Sequence, residues 1–177
     1  TDYLDLLLLH RPSPLMHPNE IAAAVSVLKE SGKILDFGVS NFSPSQLSLL
    51  DNKTAVSVNQ IEFSLTQHSA MHNGVLDQLL QKEIIPMSWS PLGSFFKEAT
   101  KTNTRIKKVL DTFTNKYNAT EDQLLLAWIL KHPSGVIPVV GTTSKVRLQN
   151  AVKALDIELD LEDWFTLLVE CQGHKVP

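Results

Sequence analysis

The chain has very little thiol. Cys171 is the only cysteine among 177 residues, which excludes an internal disulfide and suits a reducing, cytoplasmic setting. No signal-peptide pattern and no apolar run long enough to cross a bilayer is present. No surplus of charge exists either: 16 basic against 19 acidic residues leave a net charge of -3. Such a balance offers no electrostatic reason to bind nucleic acid or an anionic membrane. None of the seven glycines falls into a Gly-x-Gly-x-x-Gly pattern, which weakens the usual dinucleotide-binding fold. Repeats, low-complexity tracts and linkers are missing, so residues 1–177 read as a single domain.

What remains is an ordinary core-forming composition, 43% hydrophobic and 20% charged. Short apolar runs of strand length alternate with helical patterns. Asp2 to Leu9, Gly32 to Phe37, Val56 to Ile61, Ile84 to Ser90 and Val136 to Val140 are the expected strands. Helices are expected over Pro18–Ser31, with Ile21, Ala24, Val25 and Leu28 inward, and over Pro44–Leu50. Further helices are expected over Ala70–Lys82, with Val75, Leu76, Leu79 and Leu80 inward, and over Arg105–Lys116, Glu121–Lys131, Lys145–Leu155 and Leu161–Cys171. Ser43 with Gln46, and Thr120 with Gln123, spell capping boxes; Ser94–Thr104 reads as a surface loop. Strands apolar enough to be buried on both faces, each followed by a helix, predict an α/β fold with a parallel sheet. A doubly wound sheet and a barrel both satisfy that pattern. Thr1 in place of Met, with a strand almost at once, leads to the expectation that the chain is a piece of something longer.

In parallel α/β folds the working residues lie at the carboxyl ends of strands. Here those ends carry His10, then Ser40 and Asn41, then Gln60, then Trp89 and Ser90, then Gly141, Thr142 and Thr143. Small residues before a helix leave backbone N–H groups for a phosphate, and Arg147 adds charge one turn on. Taken singly, each has a plain explanation as a cap, a core aromatic or a solvated side chain. Together they describe a site for a planar aromatic amide joined to phosphates. The amides and hydroxyl would hold a carboxamide, Trp89 would stack on the ring, and the loop with Arg147 would hold phosphate.

Several motifs in order resemble the aldo-keto reductase superfamily over the whole chain. They are Asp5-Leu6-Leu7-Leu8-Leu9-His10-Arg11-Pro12, Gly32-Lys33-Ile34, Gly38-Val39-Ser40-Asn41-Phe42, Asn59-Gln60-Ile61-Glu62, Ser90-Pro91-Leu92-Gly93, and Ile137-Pro138 leading to Gly141-Thr142. The resemblance is nearest to bacterial members with His-Arg-Pro after this strand and a Trp-Phe pair, here Trp164-Phe165, in a last helix. It implies a (β/α)8 TIM barrel of which these are the C-terminal five strands with their helices, an incomplete barrel. It further implies NADP(H) as cofactor and reduction of a small-molecule aldehyde or ketone. His10 would orient the substrate carbonyl. Ser40, Asn41 and Gln60 would hold the carboxamide, with Trp89 on the ring. Ser90, Leu92 and Gly93 would line the pyrophosphate. Gly141, Thr142, Thr143 and Arg147 would bind the 2′-phosphate end, and Asn150 would sit near the adenine amino group. Ala151 stands where relatives often have Asn. Of the family's Asp, Tyr, Lys and His tetrad only the histidine's segment is found, and Tyr3 and Tyr117 match no such motif. The isolated chain is therefore expected to be inactive and poorly soluble, and its oligomeric state is left open.

Two rival readings stay in view: a non-catalytic NADPH-binding regulatory module of the same fold, and an unrelated barrel whose Gly141 loop takes a phosphorylated substrate. No metal site is expected, since nothing completes a ligand set around His68 and His72. Lys97, Lys101, Arg105, Lys107 and Lys108 read as a solvated basic face, or, by the family resemblance alone, as a flap over the cofactor; Cys171 reads as a small buried apolar group. If Arg147 meets the 2′-phosphate, Arg147→Ala in the full native protein weakens NADPH much more than NADH. Equal losses in a binding titration would remove that assignment.

Overall fold

The computed structural model describes residues 1–176, and in it strands and helices alternate along the chain. They are β1 (Leu4–Leu9), α1 (Pro18–Glu30), β2 (Ile34–Ser40), α2 (Pro44–Asp51), β3 (Val58–Glu62), α3 (Val75–Gln81) and β4 (Ile85–Trp89). Then come α4 (Lys101–Tyr117), α5 (Glu121–Leu130), β5 (Ile137–Pro138), α6 (Lys145–Val152) and α7 (Leu161–Gln172). The sheet has the order β1-β2-β3-β4-β5, with β1–β2 and β2–β3 parallel. A doubly wound sheet reverses its order at a switch point; this one follows the chain without reversal, as barrel strands do. Two compact units carry the contacts, Thr1–Ile61 with Ala70–Met87, and Glu62–Ser69 with Ser88–Pro177.

In the first unit the core is built by Phe37, Val39, Phe42, Leu47, Leu76 and Leu79, all at most 2% exposed. The expected capping box starts α2. The Ser43 N–H donates to Gln46 Oε1 at 3.0 Å, and Ser43 Oγ accepts from the Gln46 N–H at 3.4 Å. The expected helix over Ala70–Lys82 is interrupted. A 3-10 turn at Ser69–Met71 gives way to Gly74 at φ 80°, and only then does α3 begin. The Asn73 side chain accepts from the Val75 N–H at 3.1 Å, so Asn73-Gly74 is a helix start that a periodicity count runs straight through. Leu80 and Ala24, expected inward, are exposed. β1 was expected to be buried, yet Tyr3 and Leu4 are each 47% exposed. In this chain β1 pairs with β2 alone, which leaves its other side uncovered.

In the second unit α5 is buried on every side from Gln123 to Ile129, as an apolar helix must be. At its start the Thr120 N–H donates to Gln123 Oε1 at 2.9 Å. Trp128, fully buried, stacks on Trp164 with ring centroids 4.8 Å apart and planes 4° from parallel. Each indole N–H donates to the other residue's carbonyl, at 3.1 and 2.9 Å. The pair thus packs two large rings against each other while leaving neither N–H unsatisfied.

The expected loop over 94–104 ends early. Thr100 Oγ1 accepts from the Asn103 N–H at 3.0 Å and starts α4 at Lys101. This long helix grips α7 at both ends. Arg105 donates to the carbonyls of Glu170 (2.9 Å) and Cys171 (3.3 Å) in the last turn of α7, where a cation is favoured. Near its own end, Lys116 pairs with Asp160 and Asp163 at 2.6 and 2.7 Å, and Tyr117 Oη donates to Asp163 at 2.6 Å. Arg105 is therefore a clamp and not part of a solvated face, and Lys107 is paired with Asp111 and Glu121. Cys171 is buried as expected; its Sγ donates to the Leu65 carbonyl at 3.0 Å, and burial pushes the thiol pKa up to about 11.

One glycine sets the spacing of β1, β2 and β3. A Cβ at Gly38 would stand 2.7 Å from Leu8 Cδ2 and 2.8 Å from the Val58 carbonyl oxygen. The second contact is backbone and cannot turn aside. Gly38→Ala is expected to lower stability by about 1–3 kcal/mol, the usual cost of overpacking, read from the midpoint of chemical denaturation in the full native protein.

Candidate functional site

The register of β2 against β3 places Gly38 beside Val58, Val39 beside Asn59 and Ser40 beside Gln60. Two of the expected site residues are thus neighbours because of strand pairing alone. Ser40, 3% exposed, donates its hydroxyl to the Gln60 carbonyl at 2.8 Å. The Asn41 N–H donates to the same oxygen at 2.9 Å, and Asn41 Nδ2 donates to Ser40 Oγ at 3.0 Å. Asn41 holds φ 60°, a left-handed conformation that Asn accepts more readily than most residues. The Gln60 side-chain amide is half-buried and makes no hydrogen bond among the described residues. His10 follows Leu9, the partner of Val39, and so lies at the same end of the sheet as Ser40, exposed.

Asn59 was not foreseen as a member of this group. It is fully buried, its Nδ2 donates to the Phe42 carbonyl at 3.0 Å, and its Oδ1 accepts from the Phe42 N–H at 3.4 Å. In the sequence it is one of three polar residues in β3, and nothing in its spacing sets it apart.

In the second unit Trp89 ends β4, half-buried, and Ser90 takes φ 50° directly after it. The turn closes with the Gly93 N–H on the Ser90 carbonyl at 2.8 Å. A Cβ at Gly93 would fall 2.0 Å from Thr66 Oγ1 and 2.5 Å from Ser64 Oγ. Thr66 Oγ1 also accepts from the Ser94 N–H at 3.0 Å. Ser64 and Thr66 thus hold the Ser90–Gly93 turn, a role that no spacing in the sequence announces. Two non-glycine residues in the left-handed region directly after β2 and β4 mark positions where backbone strain is retained.

Gly141, Thr143 and Arg147 are exposed and Thr142 partly so. A Cβ at Gly141 would meet nothing within 4 Å. Thr142 Oγ1 accepts from the Ser144 N–H at 3.2 Å, and Ser144 caps α6 by accepting from the Arg147 N–H at 3.4 Å. One of the helix-start donors is therefore already used. Asn150 is fully engaged: its Oδ1 accepts from Gln123 Nε2 at 2.8 Å, and its Nδ2 donates to Thr120 Oγ1 (3.1 Å) and Asp122 Oδ2 (3.0 Å). It ties α6 to the start of α5.

No group of three or more His, Cys, Asp or Glu side chains able to hold a metal occurs among the described residues. His68 Nδ1 lies 2.9 Å from the Leu65 carbonyl in a turn, and not on a helix with His72. The donor set at the ends of β2 and β3, hydroxyl plus amides with one amide unpaired, fits a planar carboxamide ligand.

The Aldo/keto reductase family profile matches residues 1–168. The chain belongs to that family. It is 39% identical over its whole length to the uncharacterized oxidoreductase YcsN of Bacillus subtilis, covering 61% of that protein. It is 37% identical over 99% of its length to a 6-dehydroglucose reductase of Agrobacterium fabrum, covering 60%. The crystal structure of the thermostable aldo-keto reductase Tm1743 with the inhibitor epalrestat superposes with a TM-score of 0.83 at 26% identity. That likeness covers 96% of this chain and 61% of the Tm1743 chain. The chain thus spans about three fifths of the relatives it matches, and its five strands belong to the family's (β/α)8 barrel. Within this aldo/keto reductase chain Tyr117 is unsuited to proton transfer. Burial and its hydrogen bond to Asp163 raise the phenol pKa, and its oxygen also accepts from the Asp160 N–H at 2.9 Å.

Proposed function

We propose that the protein carrying this chain reduces a small aldehyde or ketone to an alcohol with NADPH. The observation that supports this most is the pairing of Ser40 with Gln60, which gathers a hydroxyl and two amides at one strand end. NADPH, when bound, supplies the hydride that reaches the carbonyl carbon. Ser40, Asn41 and Gln60 hold and orient the carboxamide, an effect that works by fixing approach geometry. Trp89 stacks on the ring, and Ser90, Leu92 and Gly93 line the pyrophosphate. The exposed Gly141–Thr143 segment with Arg147 takes the 2′-phosphate. Asn150, with its amide occupied at the start of α5, has the weakest case for a contact to adenine.

His10 donates a hydrogen bond to the substrate carbonyl oxygen and so sets its orientation. The proton that completes the alcohol comes from a tyrosine of the family's tetrad. Neither Tyr117, locked into the α4–α7 clamp, nor Tyr3 fills that role.

The test uses the full native protein. Purified with a panel of simple aldehydes and ketones, it is expected to consume NADPH in step with alcohol formed. Gln60→Leu is expected to weaken NADPH binding about tenfold, the worth of one or two hydrogen bonds of about 1 kcal/mol each. Tight NADPH binding without turnover of any carbonyl would replace this reading with that of a cofactor-sensing module.

A further inference from the structure

Among the described residues Asn59 is the one buried amide whose side-chain hydrogen bonds all go to a single residue's backbone. In the ladder it stands beside Val39, yet its side chain reaches past the end of β2 to Phe42, donating to its carbonyl and accepting from its N–H. The amide therefore serves as a one-residue strand where real strand pairing has stopped at Ser40. Its effect falls on the residue in between. Asn41 is tied on one side by its own N–H to the Gln60 carbonyl, and on the other by Phe42 to Asn59. A residue pinned on both sides can be kept at φ 60°; released on one side, its backbone relaxes toward negative φ and its side chain swings away from Ser40. A core role alone would be met by an apolar side chain at this fully buried position.

We infer that Asn59 is a positioning residue: by clamping Phe42 it fixes the side chain of Asn41 at the angle needed to grip the nicotinamide carboxamide. This rests on the nicotinamide reading above. The clamp acts on one end of the cofactor only, so it has a signature that general destabilisation lacks.

The experiment compares wild type, Asn59→Ala and Asn59→Ser in the full native protein, with two probes: NADPH, and 2′-phospho-ADP-ribose, which lacks the nicotinamide. Thermal melts establish that the variants are folded. Asn59→Ala is expected to lose about tenfold in NADPH affinity while its affinity for 2′-phospho-ADP-ribose stays within about twofold. Asn59→Ser, keeping one hydroxyl for Phe42, is expected to fall between the two. Transfer from NADPH deuterated on one or the other face of C4 is expected to lose its facial selectivity in Asn59→Ala. Equal losses for both probes, or no loss in a folded variant, overturn the inference. Wild type that gains nothing from the nicotinamide, binding both probes equally, overturns instead the cofactor reading on which it rests. Hydrogen exchange at the Phe42 amide of wild type gives a check independent of any variant. Protection that rises with NADPH and not with 2′-phospho-ADP-ribose supports the clamp, and identical protection with both contradicts it.

Discussion

Gly38 has strands on both sides of it, with no room for a side chain. Leu8 presses from β1 and the Val58 carbonyl from β3, both within 3 Å of where a Cβ would stand. Parallel strands lack the tight hairpins that would set their register, so such a steric constraint carries more weight here. With Gly38 against Val58, Ser40 must meet Gln60 and Val39 must meet Asn59. The chemistry at the end of the sheet, two residues on, is a consequence of that contact. Moving the pairing by one residue would turn Ser40 and Gln60 to opposite faces.

The same economy recurs in the second unit. Only glycine can stand at position 93, because Ser64 and Thr66 occupy the space a side chain would need. α7 keeps its place through a charge at each end, Arg105 on its last carbonyls and Lys116 with Tyr117 at its start, and through the reciprocal bonds of Trp128 and Trp164. Polar groups inside this chain are mostly committed to backbone. The Gln60 amide is left over beside Ser40, the last residue of β2.

Strand and helix alternation was legible from apolar run length, and the capping residues Ser43 and Thr120 stood at the expected helix starts. What failed was local punctuation. Asn73-Gly74 interrupts a pattern that otherwise counts as helix, and Thr100 starts α4 inside a stretch whose polar composition reads as loop. The exposure of Tyr3 and Leu4 follows from β1 pairing with β2 alone in this chain, and composition says nothing of neighbours. At the site, Ser40, Asn41 and Gln60 were singled out by their place near the expected strand ends, although β2 runs on to Ser40, past its expected end at Phe37, and Gln60 stands inside β3. Asn59, Ser64 and Thr66 were missed because their work is done across the fold, on residues 17 to 29 positions away. Arg105 was read as solvated for the same reason: its partners lie 65 and 66 residues downstream.

The most direct test of the central claim is a crystal structure of the full native protein grown with NADP⁺. The carboxamide is expected within hydrogen-bonding distance of the Ser40, Asn41 and Gln60 side chains, with the β2–β3 register unchanged. A nicotinamide ring seated away from those three residues would contradict the account.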